Sequence, residues 1–82
     1  VRALAIEAIA DLGFREAGNT IIKLLDDREW KVRSAAIFGL TRLRYATRET
    51  KTKLTALRNE DDVEEVRNAA AVALKKLFPI TP

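Results

Sequence analysis

Three segments of this chain carry the same residue pattern, and each opens on a Val–Arg pair. The first, second and third pairs lie at residues 1–2, 32–33 and 66–67. Seven columns align: Val1/Val32/Val66, Arg2/Arg33/Arg67, Leu4/Ala35/Ala69, Ala5/Ala36/Ala70, Ala8/Gly39/Ala73, Ile9/Leu40/Leu74 and Leu12/Leu43/Leu77. The apolar columns are spaced as on an α-helix with one apolar face. The sequence therefore predicts three equivalent helices in a repeating array.

Shorter helical segments are expected between the three copies, so that consecutive helices form antiparallel hairpins. The spacing of apolar residues and of helix breakers predicts five helices and no strand, at about residues 1–12, 16–25, 28–44, 48–58 and 63–78. In such an array each hairpin contacts mainly its neighbours. The small residues of one column, Ala8, Gly39 and Ala73, are predicted to let adjacent helices approach closely.

Turn and capping residues indicate the helix ends. Gly13 follows the first apolar face, where a left-handed C-terminal cap is expected. Asp27 and Thr47 are predicted to cap the central and fourth helices with their side-chain oxygens. The fourth helix is poor in apolar residues, and its candidate core positions are Leu54, Leu57 and Ala56.

Two stretches of the sequence, LLDDREWKVRSAAIFGLTRL and NEDDVEEVRNAAAVALKKL, resemble HEAT repeats. They are closest to the HEAT-like type that also occurs in bilin lyase subunits. The resemblance implies an all-α superhelix of antiparallel helical hairpins, in which the Val–Arg helices are the second, or B, helix of each hairpin. Residues 1–82 would then be one HEAT-like domain with a B helix at 1–13 and repeats at 16–44 and 48–78. We expect this domain to be a fragment of a longer solenoid.

Composition excludes several kinds of chemistry. The chain has no cysteine and no histidine, which rules out disulfides, thiolate or imidazole metal sites, and catalysis by either residue. No apolar run approaches the roughly 20 residues of a membrane span, and no signal-peptide pattern is visible. We therefore expect a cytoplasmic protein that is not an enzyme and uses no cofactor, no metal and no membrane.

Three conspicuous polar or aromatic features have structural interpretations. Each of two aspartates, Asp27 and Asp61, precedes an arginine, Arg33 or Arg67, by six residues. Either arginine can reach back to its own aspartate or across to that of a stacked neighbour, which predicts a charge ladder along the array. The acidic run at 60–65 lies at a helix start, where the helix dipole favours it. Trp30 is expected to pack over a hairpin end, with partner binding as the alternative.

The basic stretch from residue 42 to residue 58 is a candidate phosphate-binding surface. It contains one acid, Glu49, and six cations: Arg42, Arg44, Arg48, Lys51, Lys53 and Arg58. Such clusters neutralise the phosphates of nucleic acids. The alternative is that a helix with few apolar residues uses these charges only for solubility.

The face of the B helices opposite the predicted core is a candidate protein-binding surface. At about 100° per residue, its residues point away from the apolar columns. They are Lys31, Ser34, Phe38, Thr41, Arg42, Val72, Lys75 and Lys76. An aromatic side chain among small and polar groups on a curved array is typical of solenoid binding surfaces. The alternative is that Phe38 packs against a neighbouring helix.

These observations favour a non-catalytic scaffold that binds a protein partner on the concave B-helix face. Two other functions stay open at this stage. One is binding of a nucleic-acid backbone through residues 42–58. The other, suggested only by the resemblance, is a subunit of a bilin lyase.

Overall fold

The computed structural model describes residues 2–13 and 15–79, except for the side chains at positions 2–4, 7 and 11. These residues form an all-α solenoid without strands in the described part. Its helices are α1 (Arg2–Leu12), α2 (Gly18–Lys23), α3 (Trp30–Leu43), α4 (Arg48–Glu60) and α5 (Glu64–Leu77). Two 3₁₀ turns, Arg15–Ala17 and Leu24–Asp26, flank α2. The predicted second helix at 16–25 is therefore a short α-helix between two tighter turns. No helix in the described ranges is long and apolar enough to cross a membrane.

Helix α3 occupies the centre of the fold, where it contacts α1, α2 and α5. Its six predicted core positions are all buried: Val32, Ala35, Ala36, Gly39, Leu40 and Leu43. Ile37 is buried as well, at 2% exposure. Because α3 has neighbours on several sides, its buried arc is wider than one apolar stripe. In the third copy, Val66, Ala70, Ala73 and Leu74 are buried, as their columns predict.

The predicted core face of α1 was wrong. Ala5 and Ala8 are exposed, Ile9 is half-buried, and Leu12 is 67% exposed. The buried side chains of α1 are instead Ile6 and Ala10. Among the described residues, α1 contacts chiefly α3, so only its α3-facing side is covered. Two members of the predicted face, Val1 and the side chain of Leu4, lie outside what the structure describes.

One core position of α4 also differs from the prediction. Leu54 is fully buried and Leu57 is half-buried, but Ala56 is exposed. The other buried side chain of this helix is Thr50. Thr50 lies four residues before Leu54 and therefore on the same face. Its hydroxyl lies 3.0 Å from the hydroxyl of Thr47, so its polar atom is satisfied although it is buried.

The helix ends follow the predicted chemistry in two places and differ in two others. Gly13 has the expected left-handed backbone, with φ of 76°. Thr47 is the N-cap of α4, and its hydroxyl accepts a hydrogen bond from the Thr50 N–H. Asp27 lies two residues before the N-cap of α3, which is Glu29, and accepts the Glu29 N–H. It therefore holds the turn before the helix and is not itself the cap. Arg44 ends α3 in a left-handed conformation that the sequence did not predict.

The cap of α4 makes a testable contribution to stability. We expect Thr47→Ala to lower the free energy of unfolding by about 1 kcal/mol, because it leaves a helix N–H unpaired. Urea denaturation monitored by circular dichroism measures the change. Thr52→Ala, at an exposed position of the same helix, is the matched control. Equal stabilities of the two variants would contradict the role of this cap.

Candidate functional site

An arginine–aspartate pair joins the hairpin of α2 and α3 to the hairpin of α4 and α5. Nε and Nη2 of Arg33 donate to the two carboxylate oxygens of Asp61, at 2.8 and 3.0 Å. Nη1 of the same guanidinium donates to the backbone oxygens of Asp27 and Arg28, at 2.8 and 3.1 Å. The ladder prediction is thereby confirmed in its second form, in which the arginine reaches the aspartate of the neighbouring repeat. This cluster holds the array together and leaves little room for a ligand.

The same contacts favour the ionised form of Asp61. Burial of the carboxyl raises its pKa, but hydrogen bonds from Arg33 and from the Val63 N–H lower it, and the net result is a pKa below the ordinary value. The Val63 N–H donates to Oδ1 at 2.9 Å and lies at the start of α5. One carboxylate therefore both orients α5 and joins it to α3.

A groove between α3 and α5 contains part of the predicted protein-binding surface. This Phe38 groove encloses about 190 Å³ and is lined by Ile37, Phe38, Thr41, Asn68, Ala69, Val72, Ala73 and Lys76. Phe38 is 59% exposed and Val72 is 52% exposed. Two large apolar side chains from different helices are therefore open to solvent on one groove. Phe38 is therefore not a core residue, although it shares its groove with residues of the neighbouring helix α5.

Four of the predicted partner-binding residues do not line this groove: Lys31, Ser34, Arg42 and Lys75. Lys31 is exposed, and its ammonium lies 5.9 Å from the centre of the Trp30 ring. Ser34 is half-buried and Arg42 is exposed, but neither lines the groove. Lys75 lines a different groove, between α4 and α5. Trp30 itself is 37% exposed.

The six cations of the basic stretch do not form one surface. Lys53 pairs with Asp26 at 2.7 Å, and this hydrogen bond raises the pKa of Lys53. Lys51 and Arg58 lie on another side of α4 and line the second groove. Arg44 is the left-handed C-cap of α3, and Arg48 is exposed in the first turn of α4. The predicted phosphate-binding set is thus divided between an ion pair, a helix end and a groove.

The second groove was not predicted from the sequence. This Phe78 groove encloses about 650 Å³ and is lined by Lys51, Thr55, Arg58, Ala71, Leu74, Lys75, Phe78 and Pro79. The ammonium of Lys51 lies 5.7 Å from the centre of the Phe78 ring. The available signal was the spacing of Lys51, Thr55 and Arg58, which places them on one face of α4.

Comparison with known proteins assigns the architecture. A family model for HEAT repeats matches residues 1–75, which is nearly the whole chain. No curated protein matches, and no solved structure matches.

Proposed function

The chain belongs to the HEAT-repeat family, and we propose that it is a non-catalytic scaffold that binds a protein partner in the Phe38 groove. HEAT repeats generally mediate protein–protein interactions and are typically not catalytic. The observation that carries the proposal is the joint exposure of Phe38 and Val72 on one groove. Single exposed apolar residues are normal on protein surfaces. Two large exposed apolar side chains that share one concave site are typical of binding surfaces.

The chemistry around the two apolar side chains supports a protein partner. An aromatic ring in the centre of an interface supplies a large apolar area at little cost in side-chain entropy. Asn68, Thr41 and Lys76 add polar groups to the lining of the same groove, and such groups fix the orientation of a bound chain. Thr41 already donates its hydroxyl hydrogen to the Ile37 oxygen at 2.9 Å, so its own oxygen remains able to accept a hydrogen bond.

The test compares two exposed apolar residues. Partners are isolated with the wild-type chain, and the purified complex is then measured by calorimetry. Phe38→Ala is expected to weaken the complex by about 1–2 kcal/mol, as the loss of an anchor does. It should change the free energy of unfolding by less than about 0.5 kcal/mol, because it removes an exposed side chain.

Leu12→Ala is the matched control, because Leu12 is 67% exposed and does not line the groove. It should leave the affinity unchanged. A complex that is weakened by Leu12→Ala and unaffected by Phe38→Ala would place the binding surface elsewhere.

A further inference from the structure

The two walls of the Phe38 groove are helices that run side by side. Arg33, near the start of α3, donates to Asp61, which lies just before α5, so the two helices begin at the same end of the molecule. The groove between them extends from Asn68, near the start of α5, to Lys76, near its end. A partner segment that fills the groove therefore lies along α3 and α5.

The groove has room for one large apolar side chain. Its volume of about 190 Å³ is below the roughly 300–1,000 Å³ of typical small-molecule sites. Phe38 and Val72 border it with exposed apolar surface, and Ile37, Ala69 and Ala73 add apolar lining. The lining thus matches a single apolar side chain that projects from a partner protein.

The polar groups of the lining are too few to hold an extended chain. An extended peptide turns backbone N–H and C=O groups toward the surface that it binds, and these groups need hydrogen-bond partners where water is excluded. Three residues of the lining have polar side chains: Thr41, Asn68 and Lys76. The repeat positions equivalent to Asn68 are Ala3 and Ser34, so the amide is not repeated along the array. A helix pairs its backbone groups internally and needs only side-chain contacts.

Lys76 gives the groove its charge. It is the one charged residue of the lining, and it is exposed. In the ranges that the structure describes, the ion pairs involve other residues and leave its ammonium without a carboxylate. Val72 precedes Lys76 by four residues, which is about one helical turn or 6 Å along α5. A carboxylate one turn away from the bound apolar side chain, on the same face of a partner helix, comes next to this ammonium.

We propose that the Phe38 groove binds an amphipathic helix that carries a large apolar residue and, three or four residues from it, an aspartate or glutamate. The apolar side chain lies between Phe38 and Val72, and the carboxylate pairs with Lys76. This inference rests on the function proposed above, because it names the partner chemistry of the same groove. Residues three or four apart share one face of a helix, which is how helices present side chains to a groove. Since the ion pair is exposed, it contributes more to selectivity than to affinity.

A displayed library of helical peptides reveals the preferred chemistry without a known partner. Its members have about 18 residues, which is long enough for an alanine-rich helix to form in water, and are randomised on one face. They are selected on the full chain. The selected sequences should share a large apolar residue with an acid three or four positions away. The tightest binder is then synthesised with a fluorescein label, and fluorescence anisotropy measures its affinity.

Two charge reversals separate a local ion pair from the effect of net charge. Lys76→Glu should weaken binding of the acidic peptide about fivefold, and a peptide with lysine in place of the acid should bind this variant more tightly than the wild type. Lys75→Glu is the matched control, because Lys75 is also exposed but lines the Phe78 groove. It changes the net charge and the last turn of α5 equally, and it should leave the affinity within about twofold of the wild type. Circular dichroism checks that both variants keep their helix content.

Phe38→Ala tests whether the selected peptide lies in the groove. It should weaken binding at least about tenfold, because the aromatic wall of the groove is lost. Leu12→Ala, which removes an exposed apolar side chain outside the groove, should bind the peptide as the wild type does.

The outcomes separate this inference from the function on which it rests. Binding that needs Phe38 but is equally strong with Lys76→Glu, or equally weakened by Lys75→Glu and Lys76→Glu, would retain the groove and overturn the acidic partner. Selected peptides that Phe38→Ala does not affect would overturn the groove as well. If no peptide is selected, the helical partner is wrong. A wild-type dimer that Phe38→Ala dissociates in sedimentation experiments would make a second copy of the chain the occupant, which would also overturn the proposal.

Discussion

Asp61→Asn is expected to lower the free energy of unfolding by about 3 kcal/mol, because it removes one partner of a largely buried ion pair. The carboxylate accepts two hydrogen bonds from Arg33 and one from the Val63 N–H. Without its negative charge, the Arg33 guanidinium, which is only 12% exposed, keeps a positive charge that water reaches poorly. The link between α3 and α5 and the turn before α5 are weakened together. Urea denaturation at neutral pH measures the loss.

The adjacent aspartate is the control. Asp62 lies 3.6 Å from Nη2 of Arg33, but its side chain is 94% exposed. An ion pair of this kind contributes little, since water screens it. Asp62→Asn should therefore change the free energy of unfolding by less than about 0.5 kcal/mol. If the two variants lose equal stability, the cause is the net charge and not the pair with Arg33.

The pH dependence of stability gives an independent measure of the same pair. The pKa of Asp61 in the folded chain lies below its ordinary value. Between the folded and the unfolded pKa the unfolded chain therefore binds more protons than the folded chain, and stability rises with pH. The stabilisation that the ionised Asp61 provides is complete above the unfolded pKa of about 4 and is lost as pH falls through the folded pKa. Wild-type stability should thus decline below about pH 4 more steeply than that of Asp61→Asn. If the stabilities of the wild type and Asp61→Asn fall in parallel as pH decreases, the pair of Asp61 with Arg33 does not stabilise the fold.

The fold could be predicted from the sequence because the repeat columns carry it. In α3 every predicted core position is buried, because the neighbouring helices cover the whole apolar face of this helix. The same reasoning failed for α1. Its columns are aligned with those of α3, but burial also depends on which neighbours are present. Leu12 and Leu43 share a column, yet they are 67% and 5% exposed.

The candidate site could be predicted only in part. Phe38 and Val72 were placed on an exposed face by periodicity, and both are exposed. Periodicity alone did not say which groove each cation would line. Adjacent residues on a helix point about 100° apart, so Lys75 and Lys76 line different grooves. Lys51 and Lys53 are separated by roughly 200°, and one reaches Phe78 while the other reaches Asp26.

Arg67 shows a further limit of sequence reasoning. The equal spacing of Asp27 from Arg33 and of Asp61 from Arg67 predicts one role for both arginines. In the part of the chain that the structure describes they differ, because Arg33 donates to the Asp61 carboxylate whereas Nη1 of Arg67 donates to the Asp61 backbone oxygen. A repeat pattern identifies equivalent side chains, but their partners depend on the neighbouring unit.

Gly39→Leu is expected to lower the free energy of unfolding by about 2–3 kcal/mol, through overpacking at the contact between α1 and α3. A Cβ at position 39 would lie 2.9 Å from Cγ2 of Ile6 and 3.5 Å from Cδ1 of Ile21. Both isoleucines are at most 2% exposed, so neither can turn toward solvent to make room. Urea denaturation of the variant measures the cost.

Two further substitutions separate overpacking from helix propensity. Gly39→Ala should change stability little, because a small shift of Ile6 offsets the gain of roughly 1 kcal/mol from replacing a helical glycine. Ala8→Leu is the matched control, because Ala8 stands in the same repeat column but is exposed, and it should also be nearly neutral. Gly39→Leu should therefore be clearly less stable than both Gly39→Ala and Ala8→Leu. If Gly39→Leu proves as stable as Ala8→Leu, then α1 does not lie against α3 at this close distance, and the repeat columns do not define the packing of the array.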